Sequence, residues 1–274
     1  MSLKPIQTIQ DVKEYLYVAM QLEHATLPPY LTALYSIKSG TNLEVYNVIK
    51  VVAVEEMLHL TLAANILNAI GGTPELTRAG FVPKFPTFLP DGETDFPVGL
   101  AAFSMDTLKT FLNIEQPTKP DTNDKNPSLL KSGQVSRNKN GIVPTLKVHE
   151  SDSEELHFHS IGAFYNAIEE GLEKIVHDQG EDAVFCGDHS RQITADYYYS
   201  GGGNIIPVYN LENAQSAIRL ISEQGEGYGG GIFDKEGELA HFYRYQQLQL
   251  GKYYHKHDKP GKPSGEELVI DWEA

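Results

Sequence analysis

A single cysteine, Cys186, stands in a chain of 274 residues. One thiol excludes an intramolecular disulfide framework and any cysteine-based zinc or iron–sulfur centre. Basic residues are scarce as well: 22 Lys and Arg face 37 Asp and Glu, a formal charge of −15. That balance repels phosphate backbones and anionic lipid headgroups, so neither nucleic acid nor membrane is expected as a partner. No uninterrupted apolar run approaches the roughly 20 residues that span a bilayer. The opening MSLKPIQTIQDVKEY also lacks the apolar stretch of a signal peptide. A cytoplasmic protein is the expectation.

What is present suffices for a sizeable core. Apolar residues make up 41% of the chain, and 15 Tyr and 11 Phe add packing area. The chain reads as one domain over 1–274, mainly α, with bundle helices at about 8–39, 42–70, 160–178 and 235–254 and insertions at 73–159 and 179–234. Thr8 and Asp11 pair as a cap for the first helix, which Pro28-Pro29 should kink or split. Thr41-x-x-Glu44 reads as a capping box for the second helix, which ends at Gly71-Gly72 and packs antiparallel to the first.

Ser104 should cap a short helix, Met105 to Ile114, inside the first insertion. A polar stretch follows it that reads as a surface flap. Ser160 caps the third bundle helix. Asn210 caps another helix, 211 to about 224, within the second insertion, and Asp234 reads as the cap of the last long helix.

Two of these helices carry Glu-x-x-His: Glu56-Met-Leu-His59 and Glu238-Leu-Ala-His241. Residues three apart share a helix face, so each pair can grip one cation. Such a pair on each of two helices, with a lone Glu on each of the others, is the arrangement of di-iron and di-manganese bundles. With 23 Glu and 10 His, chance alone supplies about one such motif. A third, Glu154 to His157, precedes the helix cap at Ser160 and reads as coincidence.

Position supplies the remaining ligands. Counted outward from the turn between the first two helices, Glu23 lies level with the Glu56/His59 pair. On the third helix Glu169 adjoins the Ile168 row, whereas Glu170 lies among solvent-facing residues, so Glu169 is preferred with Glu170 in reserve. Glu55, Glu170 and Glu173 take the surface reading that suits most helical glutamates. His24, His157 and His159 read as ordinary histidines. Tyr17, Tyr30, Tyr165 and Tyr243 read first as core aromatics that can also line the site. The metal set expected is therefore Glu23, Glu56, His59, Glu169, Glu238 and His241. Its mixed oxygen and nitrogen donors suit two iron ions, manganese, or one of each.

The segments AMQLEHATLPPYLTALYSI, VVAVEEMLHLTLAANILNAIGG, HFHSIGAFYNAIEEGL, EQGEGYGGG and ELAHFYRYQQL resemble the ferritin-like domain of the iminophenyl-pyruvate dimer synthase family, which also occurs in violacein and chromopyrrolic acid synthases. That resemblance implies a ferritin-like fold and a non-haem metal site on Glu23, Glu56, His59, Glu238 and His241. It also implies oxidative chemistry on a small, amino-acid-derived substrate. The favoured expectation is a di-metal oxidoreductase using oxygen or peroxide. Ferroxidase or iron-storage activity, and a metal-binding accessory module of a biosynthetic pathway, are the alternatives. A homo-oligomer is compatible with each.

Overall fold

The computed structural model describes residues 4–90, 96–117, 158, 160–199 and 201–272. Among these residues it contains seven α-helices and only isolated β-bridges. They are α1 (Ile9–Ser36), α2 (Leu43–Ala69), α3 (Met105–Ile114), α4 (Ile161–Gln179), the single turn α5 (Glu181–Val184), α6 (Leu211–Glu226) and α7 (His241–Leu250). The third Glu-x-x-His, the polar flap, His157 and His159 fall outside the described residues.

Helix α1 starts at the expected cap: the Thr8 hydroxyl accepts the Asp11 N–H, and the Asp11 carboxylate accepts the Thr8 N–H at 2.7 Å. It runs unbroken through Pro28 and Pro29. Packing along the whole helix outweighs the two missing amide donors, and Thr32 donates its hydroxyl to the Pro28 carbonyl at 2.6 Å. The expected capping box of α2 does not form. Asn42 holds the N-cap position in a left-handed conformation (φ 45°), and Thr41 donates its hydroxyl to the Lys38 carbonyl instead. Asn42 uses its side chain to pin Asp271 from the far end of the chain. The caps Ser104, Ser160 and Asn210 each accept an N–H three residues on, as their sequences predict.

Long antiparallel contact joins α1 to α2, and α4 and α6 pack on each other and on that hairpin. The buried stripes that meet are Leu16, Ala19 and Leu22 of α1, Val52, Leu62 and Ile66 of α2, Phe164, Ile168 and Leu172 of α4, and Ala214, Ile218 and Ile221 of α6. The fourth long helix of the bundle is thus α6, which the sequence reading assigns to an insertion.

The segment expected as a long helix over 235–254 is helical only from His241 to Leu250. Asp234 does not cap it. Its carboxylate accepts the Glu238 N–H at 2.8 Å inside a tight turn, where Gly237 takes φ 86°, a value side chains rarely adopt. Helix α7 packs with α3, and the pair closes one end of the bundle beside α2.

Candidate metal centre

Five buried side chains converge between α1, α2 and the α3–α7 pair. Glu23 comes from the middle of α1, and Glu56 and His59 from successive turns of α2. Glu115 is the C-cap of α3, and His241 is the first residue of α7. Each is at most 4% exposed. Their donor atoms form two groups, Glu23–Glu56–His59 and Glu56–Glu115–His241, within each of which the atoms lie no more than 4.8 Å apart. Glu56 belongs to both. Its Oε1 lies 3.6 Å from His59 Nδ1 and 3.1 Å from His241 Nδ1, while Glu23 Oε2 is 3.6 Å from His59 Nδ1 and Glu115 Oε2 is 3.3 Å from His241 Nδ1.

Every remaining donor or acceptor of these five residues is tied outward. Tyr165 donates its hydroxyl to Glu23 Oε1 at 2.5 Å, Thr26 to Glu56 Oε2 at 2.7 Å, and Tyr30 to Glu115 Oε1. Each carboxylate is thereby left with one oxygen facing its neighbours. The two imidazoles, stacked with centroids 5.4 Å apart, follow the same rule. His59 Nε2 meets Gln224 Oε1 at 2.8 Å. The amide of Gln224 is oriented by its other end, since its nitrogen donates to the Gly202 carbonyl. His59 must therefore donate from Nε2, which turns the Nδ1 lone pair inward in the neutral ring. His241 Nε2 donates to Glu55 Oε2 at 2.8 Å with the same result. An imidazole whose outer N–H is held by a carboxylate or carbonyl is the usual form of a metal-ligating histidine.

Electrostatics describe a site built around positive charge. Burial, then the Glu56 charge, raise Glu23 to about 7. Burial and Glu56 raise Glu115 in the same way. Burial opposes ionisation of Glu56 too, but its bonds to His241 and His59 prevail and hold it below the usual carboxylate range. Burial also disfavours charged imidazoles, yet Glu23 and Glu56 lift His59 to about 10, and Glu115, Glu55 and Glu56 raise His241. Without metal, protons must compensate three buried carboxylates. Burial, then the adjacent carboxylates, raise Tyr30, Tyr165 and Tyr245, which keeps all three protonated and Tyr30 and Tyr165 as hydroxyl donors. The buried Tyr245 hydroxyl has no hydrogen-bond partner among the described residues. The donor set of three carboxylates and two imidazoles, one carboxylate common to both groups, fits a pair of divalent cations.

The structure brings together four of the six residues expected as ligands: Glu23, Glu56, His59 and His241. Glu238 stands apart, its side chain 61% exposed and paired with Arg244 at 2.8 Å. It precedes the start of α7, so the three-residue spacing to His241 no longer places the two on one helix face. Glu169 is half-buried on α4, near Arg219, and Glu170 is exposed. Glu115 takes the place the sequence reading gave to them. A signal for it exists, because Glu115 continues the buried Leu108–Phe111–Leu112 row of α3 at helical spacing. Glu55, read as a surface residue, is 5% exposed and binds His241. Of the tyrosines, Tyr30 and Tyr165 reach the site, whereas Tyr17 packs on Phe81 and Tyr243 on Tyr254. His24 meets Phe81 edge-on.

A helical bundle enclosing a carboxylate–histidine cluster defines the class of protein. The family model described as "Ferritin-like" matches residues 16–250, and the chain belongs to that family. Dichlorochromopyrrolate synthase of Lentzea aerocolonigenes is 26% identical over 200 residues, which cover 70% of this chain and 17% of that protein. The chain thus spans about a sixth of the length of this curated relative. The crystal structure of a ferritin-like protein from Caulobacter vibrioides aligns with 98% of the chain and 78% of its own, at a TM-score of 0.59 and 22% identity, a likeness of fold. Among the described residues, no helix is long and apolar enough to cross a membrane.

Proposed function

We propose that this protein is a non-haem di-metal oxidoreductase, with iron or an iron–manganese pair, acting on a small and amino-acid-derived molecule with oxygen or peroxide. The observation that carries the reading is the sharing of Glu56 between two three-residue donor groups. The ions would lie on Glu23, Glu56 and His59 and on Glu56, Glu115 and His241. When bound, such a pair supplies redox chemistry and Lewis acidity.

The chain's own residues do the rest. Tyr165, Thr26 and Tyr30 fix the carboxylates, and Gln224 and Glu55 fix the imidazoles, so the donor atoms are set before an ion arrives. Ile114, Ile161 and Ile221 form an apolar part of the wall of the inner space beside the donors. That space, about 10 Å³, has room for about one water-sized molecule. The likeness to dichlorochromopyrrolate synthase supports a biosynthetic setting, and the resemblance of the site-bearing segments to the iminophenyl-pyruvate dimer synthase family supports oxidative chemistry there.

Metal analysis of protein from iron- and manganese-supplemented cells, followed by stopped-flow spectra of the reduced protein mixed with oxygen or peroxide, tests the proposal. Close to two ions per chain and an oxidant-dependent spectral change are expected. Absence of bound metal would overturn the site, and inertness toward both oxidants, with and without candidate amino acids, would overturn the enzyme reading in favour of an accessory role.

A further inference from the structure

Both histidines are backed by a second and larger space. A cleft of about 690 Å³ lies between α2, the 202–206 loop, α6 and the 234–238 turn. Its lining includes Glu55 and Gln224, the residues that hold His241 Nε2 and His59 Nε2. Organic ligands occupy clefts of roughly 300–1,000 Å³, so the cleft has the size that the inner space lacks. Its wall is also specifically built. Gly202 (φ 75°) passes so close to Glu55 that a Cβ there would come within 2.9 Å of the Glu55 Cα. A larger residue would push the loop off the cleft floor.

The charges of the lining select what would enter. Glu223 is taken by Lys235 at 2.8 Å and Glu238 by Arg244 at 2.8 Å. Glu55 shares its oxygens between His241 and a longer, 3.5 Å contact to Arg244. Asp234 accepts backbone N–H groups, and neither it nor Glu236 has an ion pair among the described residues. The remaining cation of the lining, Arg219, acts on Glu169 of α4 and on Lys235, so that Glu55, Glu223, Asp234, Glu236 and Glu238 face Lys235, Arg219 and the neighbouring Arg244. An excess of negative charge is left over a partly apolar surface of Val51, Ile206 and Leu220. We propose that this cleft binds a small organic cation, an amine with an apolar body, and that its occupant bears on the metal centre through Glu55–His241 and Gln224–His59. The binding claim rests on the cleft alone. The coupling claim rests also on the metal centre proposed above.

Calorimetric titration of the protein, metal-free and metal-loaded, with 2-phenylethylamine and with phenylacetate, the same body carrying the opposite charge, tests the binding claim. The amine should bind at least tenfold more tightly than the acid. Glu236→Gln should weaken it about threefold or more, and Leu220→Trp, which fills the cleft, should abolish binding in a protein whose melting shows it folded. Equal affinity for amine and acid, or amine binding unchanged in both variants, overturns the proposal. In the cobalt(II)-loaded protein, saturating amine should shift the visible bands, and Glu55→Gln should diminish that shift. An unaltered spectrum at proven saturation refutes the coupling and leaves the cleft as a site of its own. Failure of the protein to bind cobalt counts against the metal centre, while the calorimetry still decides the cleft.

Discussion

The Gln224 side-chain oxygen lies 2.8 Å from His59 Nε2, and the nitrogen of the same amide donates to the Gly202 carbonyl. One residue of α6 thereby sets which face of an α2 imidazole is offered to a metal. Replacing Gln224 by Leu keeps its approximate volume and removes both bonds. Metal affinity should fall about 10- to 100-fold, the usual cost of losing such an outer partner. Competition with a chromogenic chelator measures it, and an unchanged affinity would show that His59 needs no such support.

Glu115, rather than Glu169 or Glu238, should govern metal loading. Glu115→Gln removes one inward carboxylate oxygen and its charge, and should bring occupancy from about two ions per chain toward one. Glu169→Gln and Glu238→Gln alter residues whose carboxylates lie elsewhere, and their loading should match the parent protein. Metal content by mass spectrometry, with circular dichroism to verify folding, separates the two outcomes. Loss of metal in Glu238→Gln would restore the ligand set expected from the sequence.

The errors of sequence reasoning share one cause. Helices α1, α2 and α4, and the caps Thr8, Ser104, Ser160 and Asn210, depend on neighbours a few residues away, and they can be read from periodicity and cap chemistry. Glu23 was reachable because the α1–α2 connection is short enough for counting. The start of α7 was not. Asp234 and Gly237 serve a helix cap and a tight turn equally well on paper, and only packing chooses. Glu55 is buried because the 201–204 loop and α7 cover it, and both are far away in sequence. Glu115 comes to the site only when α3 docks beside α7.

Tyr165→Phe and Tyr30→Phe each delete one hydroxyl that donates to a buried ligand carboxylate. The acceptor is left without its partner in a water-poor site, at a cost of about 1–3 kcal/mol. Thermal melting should therefore show each metal-loaded variant less stable than the parent. Loosening should be local, with Tyr165→Phe disturbing the Glu23 group and Tyr30→Phe the Glu115 group. Stepwise titration with cobalt(II), followed by its visible bands, checks this. Equal weakening of both steps by either variant would contradict independent anchoring.

Metal and protons should compete for the same atoms. In the metal-free protein His59, at about 10, carries a proton across neutral pH, and Glu23, at about 7, is partly protonated. Both values are raised on folding, so the folded metal-free chain binds more protons than the unfolded one. The stability drawn from His59 is fully present below about 6.5 and is lost as pH rises through about 10, and that from Glu23 is lost between about 4.5 and 7. Raising the pH from 6.5 to 9 should lower the melting temperature of the metal-free protein. It should also raise metal affinity, by about tenfold per pH unit for each proton displaced. The metal-loaded protein, with its Nδ1 atoms coordinated, should melt with a flatter pH dependence over that window. Titrations in two buffers of different ionisation enthalpy count the protons released, and a release of none would exclude these five residues as the binding atoms.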